Sequence, residues 1–320
     1  MSPLGATGGS LPAGRLQHAV LGVLVAAAVA ACGSDSPAAG PPSQPAVYTA
    51  PGVTTPVPSS PVPSGPAPSP GSADSTSSPP APATADSATQ QRPVWLGTRV
   101  LPVRPDGLGE VQPTPPELVD RQLPPPDPRP APDAFDATVE FIPDDVLARS
   151  TWVAECPVSL DDLRYLTLTF WGFDNQPHLG EMIVHESVAS DIVEVFGRMY
   201  QARFPLEEMR VVAAYELDAP PTGDGNNTSA FVCRPSTGSN SWSQHAYGLA
   251  VDVNPFHNPY QRGDVVIPEL ASAYLDRTRG APGMIEAGDV VTDAFATIGW
   301  VWGGTWNSSK DWMHFSQSGR

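Results

Sequence analysis

The chain has 320 residues, a formal charge of -17 and 40 prolines, most of which fall before Phe135. A chain so acidic offers no basic face to phosphates, which excludes nucleic acid as a partner. Proline at that density excludes a packed core from the first part of the chain, so one globular domain is expected after it.

In chain order, Arg15 flanks an apolar run, Ala19 to Ala31, that ends in small residues. This is the pattern of a signal peptide over residues 1–31, and the run is too short to span a bilayer. Val29-Ala30-Ala31-Cys32-Gly33 resembles the bacterial lipobox, in which cleavage before Cys32 leaves a cysteine that carries a diacylglycerol on its sulfur. The competing reading is an ordinary secretory signal with a chance cysteine at its end. Lipid on Cys32 places the protein outside the cytoplasm, anchored to the cell membrane without crossing it. Residues 32–93 are Pro, Ala, Ser, Gly and Thr with few large apolar side chains, so burial cannot offset their chain entropy. They read as a disordered, extended tether. From 94 to 134 apolar residues return in Val94-Trp95-Leu96 and Val100-Leu101-Pro102-Val103, still interrupted by proline. Long helices and central strands are forbidden there, and the segment reads as an extended arm lying on the domain.

The domain is expected over 135–320. Leu163 to Phe173 alternates like a strand, and Leu179 to His185 is its hairpin partner, with His178 in the turn. Ser187 is a candidate cap for a helix whose apolar face is Val188, Ile192, Val195, Phe196 and Met199. Met209 to Leu217 reads as a strand, Asp218 to Trp242 as a polar loop and Leu249 to Val253 as a short buried strand. A helix carrying Val291, Ala294, Phe295 and Ile298 leads into Trp300-Val301-Trp302-Gly303-Gly304, and an extended piece follows around His314. Strands and helices mixed without βαβ regularity indicate an α+β domain, an antiparallel sheet with flanking helices. Cys156 and Cys233, the cysteines of this part, are expected to pair in an exported protein; two separate buried thiols are the alternative.

Chemistry concentrates in two places. Ser243-Gln244-His245-Ala246-Tyr247-Gly248-Leu249-Ala250-Val251-Asp252 joins an imidazole to a carboxylate on a strand, and Lys310-Asp311-Trp312-Met313-His314-Phe315 supplies a second imidazole and another carboxylate. Two histidines and a carboxylate form a recurrent catalytic zinc set, and a further carboxylate beside it can take a proton from the attacking water. His245, Asp252 and His314 fit the first role, and Asp311 the second. Asp311 and His314 are offset by three positions, so a straight strand would send them to opposite faces; a bend near Asp311 is required. Gly248 permits a sharp turn between His245 and the strand. Among the remaining histidines, His257 is the one expected to line the cleft. Trp300, Trp302 and Trp306 are read as core before sugar-stacking surface.

The pattern SxHxxGxAxD followed by DxxHF resembles the zinc D-Ala-D-Ala carboxypeptidase and dipeptidase family, which also contains L-Ala-D-Glu endopeptidases. Arg164-Tyr165-Leu166, Phe170-Trp171-Gly172-Phe173-Asp174, Asn227-Thr228-Ser229-Ala230-Phe231, Cys233-Arg234-Pro235, Asn254-Pro255 and Gly299-Trp300-Val301-Trp302-Gly303-Gly304 extend the likeness over about Leu96 to Phe315. The resemblance implies a hedgehog/DD-peptidase fold, zinc on His245, Asp252 and His314, Asp311 as general base, and peptidoglycan stem peptides as substrate. It also implies an oxyanion-stabilising arginine after the strand before the zinc motif, but Ala213-Ala214-Tyr215-Glu216 stands there. Arg234 is the substitute candidate, with a structural ion pair as its competing reading. Ser243 and Tyr247 are candidate substrate contacts. The resulting expectation is a zinc D-alanyl-D-alanine carboxypeptidase, with an L-Ala-D-Glu endopeptidase or a non-catalytic zinc-binding module as alternatives.

Overall fold

Residues 90–320 are described in the computed structural model, within the unit Ser78–Arg320. The signal peptide, Cys32 and nearly all of the expected tether lie outside the described residues. The domain is mixed α/β, with few helices and several sheets. Among the described residues no helix is long and apolar enough to cross a membrane.

Alternating side chains build the largest sheet. Strand β1 (Ala137–Glu140) precedes helix α1 (Asp144–Arg149), then β2 (Leu163–Gly172) and β3 (Pro177–His185) form a long antiparallel hairpin. β1 pairs antiparallel with β2, and β4 (Pro205–Leu206) pairs parallel with its end. Helix α2 (Ala189–Gln201) covers one face. Leu166, Leu168 and Phe170 of β2 and Met182 and Val184 of β3 meet Ile192, Val195, Phe196 and Met199 of α2 there. β5 (Glu208–Met209) pairs parallel with β6 (Asn227–Thr228).

The same core runs into a second, antiparallel sheet made of β7 (Ala250–Asp252), β10 (Val301–Trp302) and β12 (His314–Ser316), in the order β10-β12-β7. Helix α3 (Val290–Thr297), capped by the Asp289 side chain, packs against it, and the rings of Phe295 and Phe315 stack with centroids 4.0 Å apart. Truncating either ring to alanine costs about 3–5 kcal/mol in such a setting. A third sheet pairs β8 (Tyr260–Arg262) with both β9 (Val265–Ile267) and β11 (Lys310–Asp311).

The other face of the β2–β3 hairpin presents Leu163, Tyr165 and Ile183 to Val146, Val158 and Phe231. Cys156 and Cys233 form a disulfide within this layer, across a sequence separation of 77. Cross-linking a loop of that size removes about 4–5 kcal/mol of unfolded-chain entropy.

Residues 90–134 contain no element longer than the single turn Pro116–Leu118, yet Leu101, Leu118 and Leu123 are buried against Phe256, Leu270 and Tyr274. Polar contacts begin before Val94: Arg92 donates to Glu207 at 2.8 Å.

Several local expectations change. Ser187 does not cap α2; His185 accepts from the Ser187 N–H and caps the short turn Glu186–Val188 that leads into the helix. His178 is inside β3, opposite Phe170, buried and bonded to Asp174 at 3.0 Å. Beyond Met209 the expected strand gives way to a turn, Ala214–Asp218, because Glu216 accepts from the Ala213 N–H and pairs with Arg210, closing the backbone locally. Tyr215 and Leu217 face solvent as a result.

Candidate metal centre

The site begins with a cap. Ser243 accepts from the His245 N–H at 3.3 Å and starts the single turn Gln244–Tyr247 that carries His245. Gly248 ends the turn in the left-handed region at φ +68°, where a Cβ would lie 2.5 Å from the His185 nitrogen, so only glycine fits. The chain then enters β7, where antiparallel pairing with β12 sets Asp252 directly opposite His314. Asp311 belongs to β11, paired with β8 at Tyr260, and a bend at Trp312 and Met313 separates it from His314 on another sheet. That bend lets both residues reach one cleft.

His245, Asp252 and His314 bring ligand atoms within 4.8 Å of one another. His245 Nε2 lies 3.2 Å from His314 Nδ1, His314 Nδ1 lies 3.0 Å from Asp252 Oδ1, and His245 Nε2 lies 3.3 Å from Asp252 Oδ2. Each imidazole is fixed from behind. His245 Nδ1 is 2.6 Å from the Ala230 main-chain oxygen, and His314 Nε2 is 3.1 Å from that of Arg320. Main-chain oxygens only accept, so each rear nitrogen carries the proton when the rings are neutral. The front nitrogens then face each other as two lone pairs beside a carboxylate. Lone pairs cannot bond to one another, and a divalent cation satisfies all three groups at once.

The carboxylates around the cluster also favour a proton on His314. Burial disfavours the His314 imidazolium, but its hydrogen bond to Asp252 and the charges of Asp252 and Asp311 outweigh that and push it up to about 9. Burial would raise Asp252, yet His245 and His314 hold it well below the usual carboxylate range. Asp311 goes the other way: burial lifts it to about 7, with the Asp252 charge adding to the rise and His314 and Arg234 opposing it. Its Oδ1 is buried without a hydrogen-bond partner.

These groups open into a cleft of about 440 Å³, a size suited to a small ligand. Arg234, Trp242, Tyr260, Trp306 and Arg320 contribute to its walls. Arg234 is half-buried and donates to the Pro235 main-chain oxygen, with no ion pair among the described residues. Its charge acts on Asp311 across the cleft. Ser243 reaches the cleft as well as capping the turn, whereas Tyr247 is half-buried outside the lining. Gly303 sits so close that a Cβ there would lie 2.6 Å from the Asp311 main-chain oxygen.

Two readings of aromatic residues are corrected. His257 does not line the cleft: it is wholly buried, stacked on Phe173 with centroids 4.9 Å apart and 2.8 Å from the Arg121 main-chain oxygen. The three tryptophans divide: Trp300 is core, Trp302 packs on the core and donates to the Trp312 oxygen, and Trp306 faces the cleft with its ring 5.5 Å from that of His314. Arg320 gave no signal in the sequence because its contact uses main chain, which residue type does not report.

Two imidazoles and one carboxylate converging in a cleft, with a separate carboxylate beside them, are the donor set of a mononuclear hydrolytic metal site. Residues 237–317 match the family model described as D-alanyl-D-alanine carboxypeptidase, a stretch that holds His245, Asp252, Asp311 and His314. Over that stretch the chain is similar to this zinc-dependent peptidase family. No curated protein and no solved structure matches the chain significantly.

Proposed function

We propose that the domain is a zinc-dependent peptidase of the hedgehog/DD-peptidase fold that hydrolyses peptide bonds of the peptidoglycan stem peptide, in the manner of a D-alanyl-D-alanine carboxypeptidase. The observation that carries the reading is the pairing of two facing imidazole nitrogens and Asp252 with a separate half-buried carboxylate, Asp311, whose buried Oδ1 has no partner. His245 Nε2, His314 Nδ1 and an Asp252 oxygen would hold the ion. When bound, zinc supplies Lewis acidity for a carbonyl and lowers the pKa of water to about 7.

The remaining chemistry belongs to the chain. Asp311 takes a proton at Oδ1 from the attacking water and returns it to the departing amine, which needs a carboxylate in the cleft that is not consumed as a ligand. Arg234 has no carboxylate to neutralise it among the described residues, so its guanidinium is available to a substrate carboxylate or a developing oxyanion. Trp242, Tyr260 and Trp306 bound the cleft and restrict water around the bond being cut. Placement outside the cytoplasm, with lipid on Cys32 and the Pro-rich segment as a spacer, suits a substrate spread through the envelope. The Cys156–Cys233 disulfide favours an oxidising compartment.

The test is hydrolysis of purified muropeptides, read by mass spectrometry, by wild type and Asp311→Ala with zinc content measured in both. Loss of one D-alanine in the wild type alone, with both proteins zinc-loaded, is the expected result. A cut at L-Ala-D-Glu instead would identify an endopeptidase, and bound zinc with no cleavage of any muropeptide would identify a non-catalytic zinc module.

A further inference from the structure

The two imidazoles of the cluster are held from behind by oxygens of different origin. Ala230, which backs His245, is buried and lies in a segment tied to β7 by reciprocal bonds between Ser229 and Asp252. Arg320, which backs His314, is reached through a short excursion beyond β12 whose residues carry no recognised motif. Three features fold that excursion back onto the site. The Gln317 N–H donates to the Leu249 oxygen at 3.1 Å, on the β7 side of the sheet. Gly319 adopts φ +75°, and a Cβ there would press on Val301 of β10 at 3.3 Å, so the reversal requires glycine. The fully buried Ser316 hydroxyl donates to the Arg320 oxygen at 2.9 Å, orienting the same acceptor that takes His314 Nε2.

We infer that the Ser316–Arg320 segment is a positioning element of the metal centre: the Arg320 main-chain oxygen, held by Ser316, fixes the His314 ring and keeps its proton on Nε2, so that Nδ1 is presented as a lone pair beside Asp252 and His245. The inference rests on the zinc site proposed above. A ligating histidine depends on such a partner because an imidazole free to rotate or change tautomer presents its lone pair only part of the time; removing partners of this kind costs about 10- to 100-fold in metal affinity. The role belongs to the main chain and to Gly319. The Arg320 side chain contributes to the cleft wall separately.

The experiment compares the full chain, Arg320→Ala and a variant lacking Gly319 and Arg320, measuring zinc affinity by competition against a chromophoric chelator. The expected result is wild-type affinity for Arg320→Ala, which keeps the oxygen, and a loss of about 10- to 100-fold for the deletion. Wild-type affinity in a folded deletion variant would overturn the inference while leaving the zinc site intact. Failure of the full chain itself to bind zinc would overturn both. Should the deletion variant not fold, Ser316→Ala, which removes the hydroxyl that orients the Arg320 oxygen, decides the question: weakened zinc affinity agrees with the inference, and wild-type affinity contradicts it.

Discussion

Two buried polar clusters lie in this domain, and they differ in whether their atoms are satisfied. In the first, Arg121 grips Glu207 through two bonds at 2.7 and 2.8 Å, Asn226 donates to the same carboxylate at 2.7 Å, and Arg92 adds a third cation-side contact at 2.8 Å. His257 closes this network against Asn226 and the Arg121 main chain. In the second, the front nitrogens of His245 and His314 face each other, and Asp311 keeps a buried oxygen unpaired. Both clusters hold histidine, carboxylate and nearby arginine, so residue type does not separate them. Satisfaction does: the first cluster is finished and clamps residues 90–134 to the domain, whereas the second leaves Asp311 Oδ1 buried without a partner.

The largest effect that sharpens this contrast comes from breaking the finished network. Arg121→Ala leaves the Glu207 carboxylate buried and reduces its cations to the half-exposed Arg92. A loss of about 3–5 kcal/mol in unfolding free energy is expected by urea titration, with zinc affinity unchanged.

Acid attacks the same network through His257. Burial pushes this imidazole down from the usual 6.5 to about 4, with the Arg121 and Arg277 charges also lowering it and the Arg121 main-chain oxygen and Glu207 opposing. Between those values the unfolded chain binds a proton that the folded chain refuses, so stability is full above about pH 6.5 and falls as pH drops towards about 4. The difference amounts to roughly 3 kcal/mol at 1.36 kcal/mol per unit. Unfolding titrations of wild type and His257→Gln at neutral and acidic pH check this, and the variant should lose that part of the pH dependence.

A smaller effect is expected in the second cluster. In Gly303→Ala the new methyl would meet the Asp311 backbone at 2.6 Å and its Cβ at 2.9 Å, displacing the carboxylate while leaving His245, Asp252 and His314 in place. Turnover should fall by up to about 100-fold, as misplacement of a catalytic group by an ångström can do, with zinc content retained. Equal loss of zinc and turnover would instead show that Asp311 helps to hold the metal.

The part of the site that was legible in the sequence depends on side-chain type and strand geometry. His245, Asp252 and His314 stood out because two imidazoles and a carboxylate serve few structural ends together. The bend before His314 followed from the three-residue offset to Asp311. Helices α2 and α3 and the β2–β3 hairpin announced themselves through apolar periodicity. What escaped was set by main-chain partners or distant contacts. The Arg320 oxygen has no side-chain signature, and β1 is a strand of exposed and half-buried residues whose pattern is weak. His257 looked available to the cleft because it follows Asp252 closely, but the turn at Asn254, with φ +43°, and the arrival of Arg121 from far upstream turn it into the interior. The strand expected after Met209 was undone by one side chain, Glu216, accepting from the Ala213 N–H three residues back.

The contrast between the clusters is tested most directly by adding zinc to ¹⁵N-histidine-labelled protein and following the ring resonances. The account predicts one equivalent of zinc, with the His245 and His314 signals shifting together and His257 unmoved. Zinc that shifts His257 instead, or that leaves both His245 and His314 unchanged, would contradict it.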